Sequence, residues 1–337
     1  MPERTLSDFA HFYATDLAKE LKRLEAVRKA VLGRVVVLFV VTGAIVAAAV
    51  TLDLVYRLTG WLGFAAFALS VSIATFLYRY LISEYVHLFK VNVISKIVVF
   101  IDPALGYWPA GFIERGKFIS SRIFERLPDR FRGDDHIRGR IGETDIEFSE
   151  LHAEYKEDTY DSRRGRRRHW HTIFKGLFFI GDFNKRFYGK TVVLPDTAER
   201  LLGGAGAFFQ SLNKSRGELI KLEDPEFEKM FVVYGDDQIE SRYILSTSLM
   251  ERIVGFRKKT GRPIYLSFVG SQVFVAIPYG KGLFEPKVFS PITDFKTVDQ
   301  YFENLQLAIG IVDDLNLNTR IWTKAPTGDV LPKAAQS

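Results

Sequence analysis

The chain contains no cysteine. Disulfides, thiolate nucleophiles and cysteine-ligated zinc are therefore excluded, and a reducing compartment fits. The excess of one sign of charge is small, with 46 Lys and Arg against 40 Asp and Glu. A net charge of +6 over 337 residues suits a domain held near an anionic membrane surface. It does not indicate nucleic acid, which calls for a wider basic face or a known fold signature. A cleavable signal peptide is not expected, because about thirty-four polar and amphipathic residues precede the first apolar run. The most telling absence is local: charge is missing from Val35 to Leu52 and again from Leu58 to Tyr78. Each run approaches the ~20 helical residues needed to cross ~30 Å of hydrocarbon. Only Asp53 to Arg57 separate them, so the pair reads as a helical hairpin that enters and leaves the membrane on one side. Intramembrane charge is the usual mark of an ion or proton path, and its absence argues against a transporter.

Basic residues flank the runs unevenly. Arg4, Lys19, Lys22, Arg23, Arg28, Lys29 and Arg34 precede the first, Arg57 alone sits in the turn, and Arg79, Lys90 and Lys96 follow the second. The positive-inside rule puts both termini in the cytoplasm. Within the runs, Gly43 and Ala47 are four apart, as are Ala66, Ser70 and Ala74. Such small-residue spacing lets helix backbones approach closely, and these five residues are the expected packing contacts in the membrane.

Thr5 to Leu32 predicts one long helix. Leu6, Phe9, Tyr13, Leu17, Leu21, Leu24, Val27 and Val31 recur at three- and four-residue steps, and nothing breaks the helix before Gly33. Three readings are open. The stripe packs on the chain's own domain, or it meets a second copy, with Leu17, Leu21 and Leu24 as the self-association contacts of a homo-oligomer, or the helix lies on a surface.

Helical character continues from Leu81 to Val99, then Asp102-Pro103 and Tyr107-Trp108-Pro109 mark a bend. A short helix is expected over Glu114 to Leu127. From Gly139 the pattern turns to strands, with a phase slip at Ser149-Glu150 that reads as a bulge. Ile173 to Ile180, Thr191 to Leu194, Met230 to Tyr234 and Ile239 to Leu245 are further apolar runs. Ser248 and Glu251 have capping-box spacing ahead of a helix over Leu249 to Phe256. Gly270-Ser271 is a two-residue hairpin turn between Ile264–Val269 and Gln272–Ile277. A last helix is expected from Phe295 to Leu315. The absence of βαβ alternation predicts an α+β fold with a mainly antiparallel sheet. The expected divisions are an amphipathic helix (1–34), the membrane hairpin (35–80), a helical connector (81–138), the α+β domain (139–322) and a loose tail (323–337).

Several phrases carry a family resemblance. They are Gly142-Glu143-Thr144 with Phe148-Ser149-Glu150-Leu151; Ile173-Phe174-Lys175-Gly176-Leu177-Phe178 with Asp182-Phe183-Asn184; Leu222-Glu223-Asp224-Pro225 with Phe227; Phe231-Val232-Val233-Tyr234 with Asp236-Asp237-Gln238; and Leu317-Asn318 with Ile321-Trp322. In this order, behind two apolar runs, they resemble the bacterial domain-of-unknown-function family 3137, from about Tyr78 to Trp322. The resemblance implies a bacterial inner-membrane protein and, as a possible partner, a LemA-type membrane protein. It supplies no catalytic residue.

The densest charge is Arg163, Arg164, Arg166, Arg167 and Arg168. Near an anionic leaflet each basic residue contributes roughly 1 kcal/mol, so this run is the candidate anionic-lipid contact; otherwise it is a solvated loop tip. His169 and His171 share one face of a strand, with His152 or Glu154 as the nearest candidate third ligand, but no metal site is expected. The glycine-rich stretch Leu202–Ala207 lacks the G-K-[ST] ending of a phosphate loop. Phe208, Phe209 and Leu212 beyond it read as a short amphipathic helix. Glu223, Asp224, Glu226, Glu228, Asp236, Asp237 and Glu240 suit acid–base work or, equally, helix starts and turns. With no catalytic motif and no cofactor indicated, the expectation is a non-enzymatic, membrane-anchored interaction or scaffold protein. The alternative is a membrane-bound sensor whose α+β domain takes an anionic lipid or small ligand.

Overall fold

Long uncharged and amphipathic stretches favour helix first and strands later, and the computed structural model follows that order. It describes residues 4–56, 61–161, 165–183, 185–196 and 216–318. The chain forms two compact units: Met1–Pro109 with Gly282–Gln306, and Ala110–Lys281 with Leu307–Ser337.

The first unit is built on helices. Helix α1 (Leu6–Phe12) starts at Thr5, whose hydroxyl and Asp8 form a reciprocal capping box. A π-helical turn, Tyr13–Leu17, leads into α2 (Ala18–Val55), which passes through Gly33 without a break. Helix α3 (Trp61–Phe89) returns beside it, followed by a second π-turn (Lys90–Ile94), α4 (Ser95–Ile101) and the short strand β1 (Leu105–Trp108). Most of the amphipathic stripe of the N-terminal helix is buried inside this unit: Phe9, Leu17, Leu21, Leu24 and Val31 are buried, Tyr13 and Val27 half-buried, and Leu6 exposed. Phe9 stacks on Phe302 at 4.1 Å between ring centroids. Leu17, Leu21 and Leu24, the expected self-association contacts, thus lie buried within this unit rather than on its surface. Helix α9 (Phe295–Ile309), far away in sequence, comes back to pack on α1, a partner that local periodicity cannot reveal.

Among the described residues, the second unit holds α5 (Arg115–Ser120) and eight strands: β2 (Arg130–Ile141), β3 (Thr144–Asp161), β4 (Gly165–Asp182), β5 (Lys190–Pro195), β6 (Glu218–Ile220), β7 (Phe231–Gly235), β8 (Tyr265–Val269) and β9 (Gln272–Pro278). They lie in the order β2-β3-β4-β9-β8-β5-β7-β6, every neighbouring pair antiparallel. This is an α+β fold with an antiparallel sheet, as the pattern predicts. Phe118 from α5 covers one face of the sheet, packing on Phe174 and Phe178. The remaining helices are α6 (Pro225–Met230), α7 (Gln238–Ile244), α8 (Thr247–Thr260) and α10 (Ile311–Asp314).

Five local expectations are corrected. Strands begin before Gly139, with the short β1 at Leu105 and the long β2 at Arg130, because β2 is mostly polar along its length and hides its alternation. The helix expected over Glu114–Leu127 stops at Ser120. Ser149 and Glu150 pair regularly with Phe178 and Leu177; the irregularities fall between Asp134 and Ile137 and between Ala153 and Glu154. Ile239–Leu245 is mostly helix α7, since the Asp237 carboxylate accepts from the Glu240 amide and caps it. Helix α8 is capped by Ser246, two residues before the expected box. The hairpin turn is as expected: Val269 pairs with Gln272 and Gly270 takes φ +65°, a conformation costly for any residue with a Cβ.

Candidate functional site

Two features of the structure stand apart from ordinary packing: an apolar helical band and a basic ribbon. The band belongs to α2 and α3, which are long and apolar enough to cross a membrane. Val37, Val40, Phe64, Leu69 and Phe76 are each more than 60% exposed. A contiguous apolar surface of that size needs an apolar cover. On the inner side, Ser70 and Ala74 are buried and Ala66 is half-buried. Gly43 and Ala47, by contrast, are exposed, and a Cβ at Gly43 would meet nothing within 4 Å. The first helix instead turns Leu38, Thr42, Val46, Ala49 and Asp53 inward. Spacing fixed which small residues share a face, but not the rotation of that face about the helix axis. Near the turn, a Cβ at Gly63 would lie 3.5 Å from an Asp53 carboxylate oxygen.

The ribbon is the outer part of the β3–β4 hairpin. The register runs from Ile146↔Gly181 to Asp161↔Gly165, while β2 accompanies β3 only to Glu154 and β9 accompanies β4 only from Gly176. Tyr155–Asp161 and its partner strand therefore project as a two-stranded ribbon about 23 Å long, at ~3.3 Å per residue. A ribbon of this kind is marginal by itself, and its base is braced. The Arg130 guanidinium lies 3.9 Å from the Trp170 ring centroid, Arg126 lies 4.7 Å from that of Tyr155, and Tyr155 stacks on His171 at 5.1 Å.

The arginine run sits at the ribbon's far end. Arg168 is exposed, with Nε 3.8 Å from Asp158. Arg166 and Arg167 stand opposite Tyr160 and Thr159 in the ladder. Arg163 and Arg164 lie outside the described residues, as do the glycine-rich stretch Leu202–Ala207 and Phe208, Phe209 and Leu212.

The other constellations resolve into structural roles. His171 Nε2 lies 3.1 Å from Glu157, whereas His152 Nε2 lies 3.6 Å from Glu154 and His169 is exposed opposite Glu157; the three rings do not converge. Burial pushes the His152 imidazole below its ordinary pKa. Asp224 caps α6 and Asp237 caps α7. Glu240 accepts from the Tyr188 and Gly189 amides, Glu228 from the Leu222 amide, Asp236 from the Lys190 amide, and Glu226 pairs with Lys258 at 2.6 Å. Each of these acids is engaged by a backbone amide or a cation.

Two groupings escaped sequence reasoning. Glu147 joins Lys117 and His136 across α5, β2 and β3, which no local spacing signals. Burial alone would raise its pKa, but the bonds from His136 and Lys117 prevail and hold it below the usual glutamate range. An open cleft of about 360 Å³ is lined by Asp196, Lys229, Met230, Arg257 and Lys258. Its cations Arg257 and Lys258 come from the basic last turn of α8.

Residues 172–317, from the middle of β4 to just past α10, match the family model described as "Protein of unknown function (DUF3137)". That stretch is similar to the DUF3137 family. The DUF3137 match takes in the resembling phrases from Ile173 to Leu317; those at Gly142–Leu151 and Ile321–Trp322 lie outside it. The ribbon's basic end precedes the DUF3137 match, and so does the apolar band. No curated protein and no solved structure matches the chain.

Proposed function

We propose that this is a membrane-anchored interaction protein of the bacterial inner membrane, with both termini cytoplasmic and the Tyr56 turn periplasmic. One observation carries the reading. Helix α2 is continuous from Ala18 to Val55, buried along its charged first half and outwardly apolar along its uncharged second half. Such a helix ties a folded cytoplasmic unit rigidly to a bilayer. The positive-inside count sets the orientation. The lack of native thiols makes the test direct: a Tyr56→Cys variant is expected to react with an impermeant maleimide in intact spheroplasts. Reaction only after permeabilisation refutes the orientation. Affinity purification of the full chain from native membranes in mild detergent is expected to bring a membrane protein with it, a LemA-type protein being the candidate the family resemblance implies. Purification of the chain alone counts against the interaction role.

The sensor reading is favoured by the braced basic ribbon, which suits an anionic lipid surface. A fluorophore at Ser162→Cys in the full chain is expected to shift to the blue in phosphatidylglycerol nanodiscs and not in phosphatidylcholine. Replacement of Arg163, Arg164, Arg166, Arg167 and Arg168 by Gln should abolish the shift. An identical spectrum in both lipids removes the lipid contact.

A further inference from the structure

The segment Leu283–Thr293 has no helix or strand, yet it is held firmly within the first unit. Helix side chains bond its backbone one after another. Asn304 donates to the Leu283 carbonyl at 3.2 Å, Tyr301 to Glu285 at 2.9 Å, Arg28 to Val288 at 2.7 Å and Tyr13 to Thr293 at 2.6 Å. The Ile292 amide donates to Glu25 at 3.2 Å. Phe284 and Ile292 are fully buried. Between them, in the same braced segment, Phe289 is 66% exposed.

The position of this phenylalanine along the helical frame is what gives it meaning. Arg28, which grips Val288, lies seven residues before Val35, where the uncharged run begins. At ~1.5 Å per residue that is about 10 Å along the helix axis. The headgroup layer on each side of a bilayer adds about 5–8 Å to the hydrocarbon, and the guanidinium reaches several ångström from its own backbone. Lys29 and Arg34, between Arg28 and the uncharged run, Arg79, at the end of the second run, and Lys287, next to Val288, are all exposed. Exposed cations beside an exposed aromatic ring, contiguous with an apolar band, form the signature of an interfacial contact.

We propose that Leu283–Thr293 is a membrane-contacting strap, whose Phe289 ring enters the headgroup layer of an anionic leaflet while Lys29, Arg34, Arg79 and Lys287 meet lipid phosphates. The proposal rests on the membrane-anchored reading above and adds to it a second, non-spanning lipid contact. The strap's bracing gives the contact its function: lipid seated on Phe289 is mechanically continuous, through Arg28 and Glu25, with the helix that leaves the bilayer.

The test uses the full chain in phosphatidylglycerol-containing nanodiscs, with a nitroxide at Phe289→Cys and, as an independent site, at Ser290→Cys. Lys22→Cys and Val40→Cys on α2 serve as water and lipid references. Accessibility to a water-soluble nickel chelate is expected to be severalfold lower at Phe289 than at Lys22, with Ser290 intermediate. If Phe289 and Ser290 are as accessible as Lys22 while Val40 is shielded, the strap contact is overturned and the anchor stands. If Val40 is accessible as well, the anchored reading falls and the strap falls with it.

Discussion

Glu25 and Arg28 pair at 2.7 Å on α2, both nearly excluded from solvent, and each also binds the backbone of a segment some 260 residues away. Desolvating two ions is expensive, and loss of one partner strands the other. Arg28→Ala should destabilise the detergent-solubilised protein by about 3 kcal/mol, whereas Glu25→Gln with Arg28→Met should cost clearly less; thermal unfolding of the three variants decides it. Leu17→Glu with Leu24→Glu belongs to the same scale. Both leucines are buried inside one unit, so the substitution should unfold that unit rather than separate copies, read as lost thermal transition rather than altered mass. Glu147 supplies a pH dependence. Its folded pKa lies below the ordinary 4.5, so the stability it confers is full above that value and is lost as pH falls through the folded pKa. Glu147→Gln should therefore flatten the decline in stability below about pH 4.5, without steepening it at neutral pH.

At the level of elements, the capping of α8 separates pattern from structure. Ser248 and Glu251 have the right spacing, but the side chain that accepts from a backbone amide is Ser246, bonded to Leu249. An N-cap serine contributes about 1 kcal/mol. Ser246→Ala should cost about that much, and Ser248→Ala close to nothing, in paired denaturation curves. The ribbon offers a second case. Trp170 lies under Arg130 near the point where β3 loses its β2 neighbour. Such a contact is worth ~0.5–1 kcal/mol. Trp170→Ala should speed hydrogen exchange of amides in Tyr155–Asp161 while leaving those of Leu177–Ile180, which are flanked on both sides, unchanged. The packing of α2 on α3 shows the limit of motif reading. Ala66, Ser70 and Ala74 sit at or near the contact, but Gly43 and Ala47 do not, because a four-residue step sets only the direction of a stripe.

For the whole molecule, what the sequence determined by itself was whatever depends on short range. Two uncharged stretches announce membrane-competent helices because hydrophobic length is additive along one segment. The α+β class and the Gly270-Ser271 hairpin were readable because alternation and turn chemistry span only a few residues. The arginine run was evident in composition, but its place at the end of a braced ribbon was not. Only the tertiary structure decided that Gly282–Gln306 folds with the N-terminal helices, that the Leu17, Leu21 and Leu24 stripe is consumed by that return, and that Glu147 gathers Lys117 and His136. The physical reason is that burial is a pairing of surfaces. A stripe or a charge specifies that it needs a partner, while the identity of the partner depends on contacts between segments hundreds of residues apart.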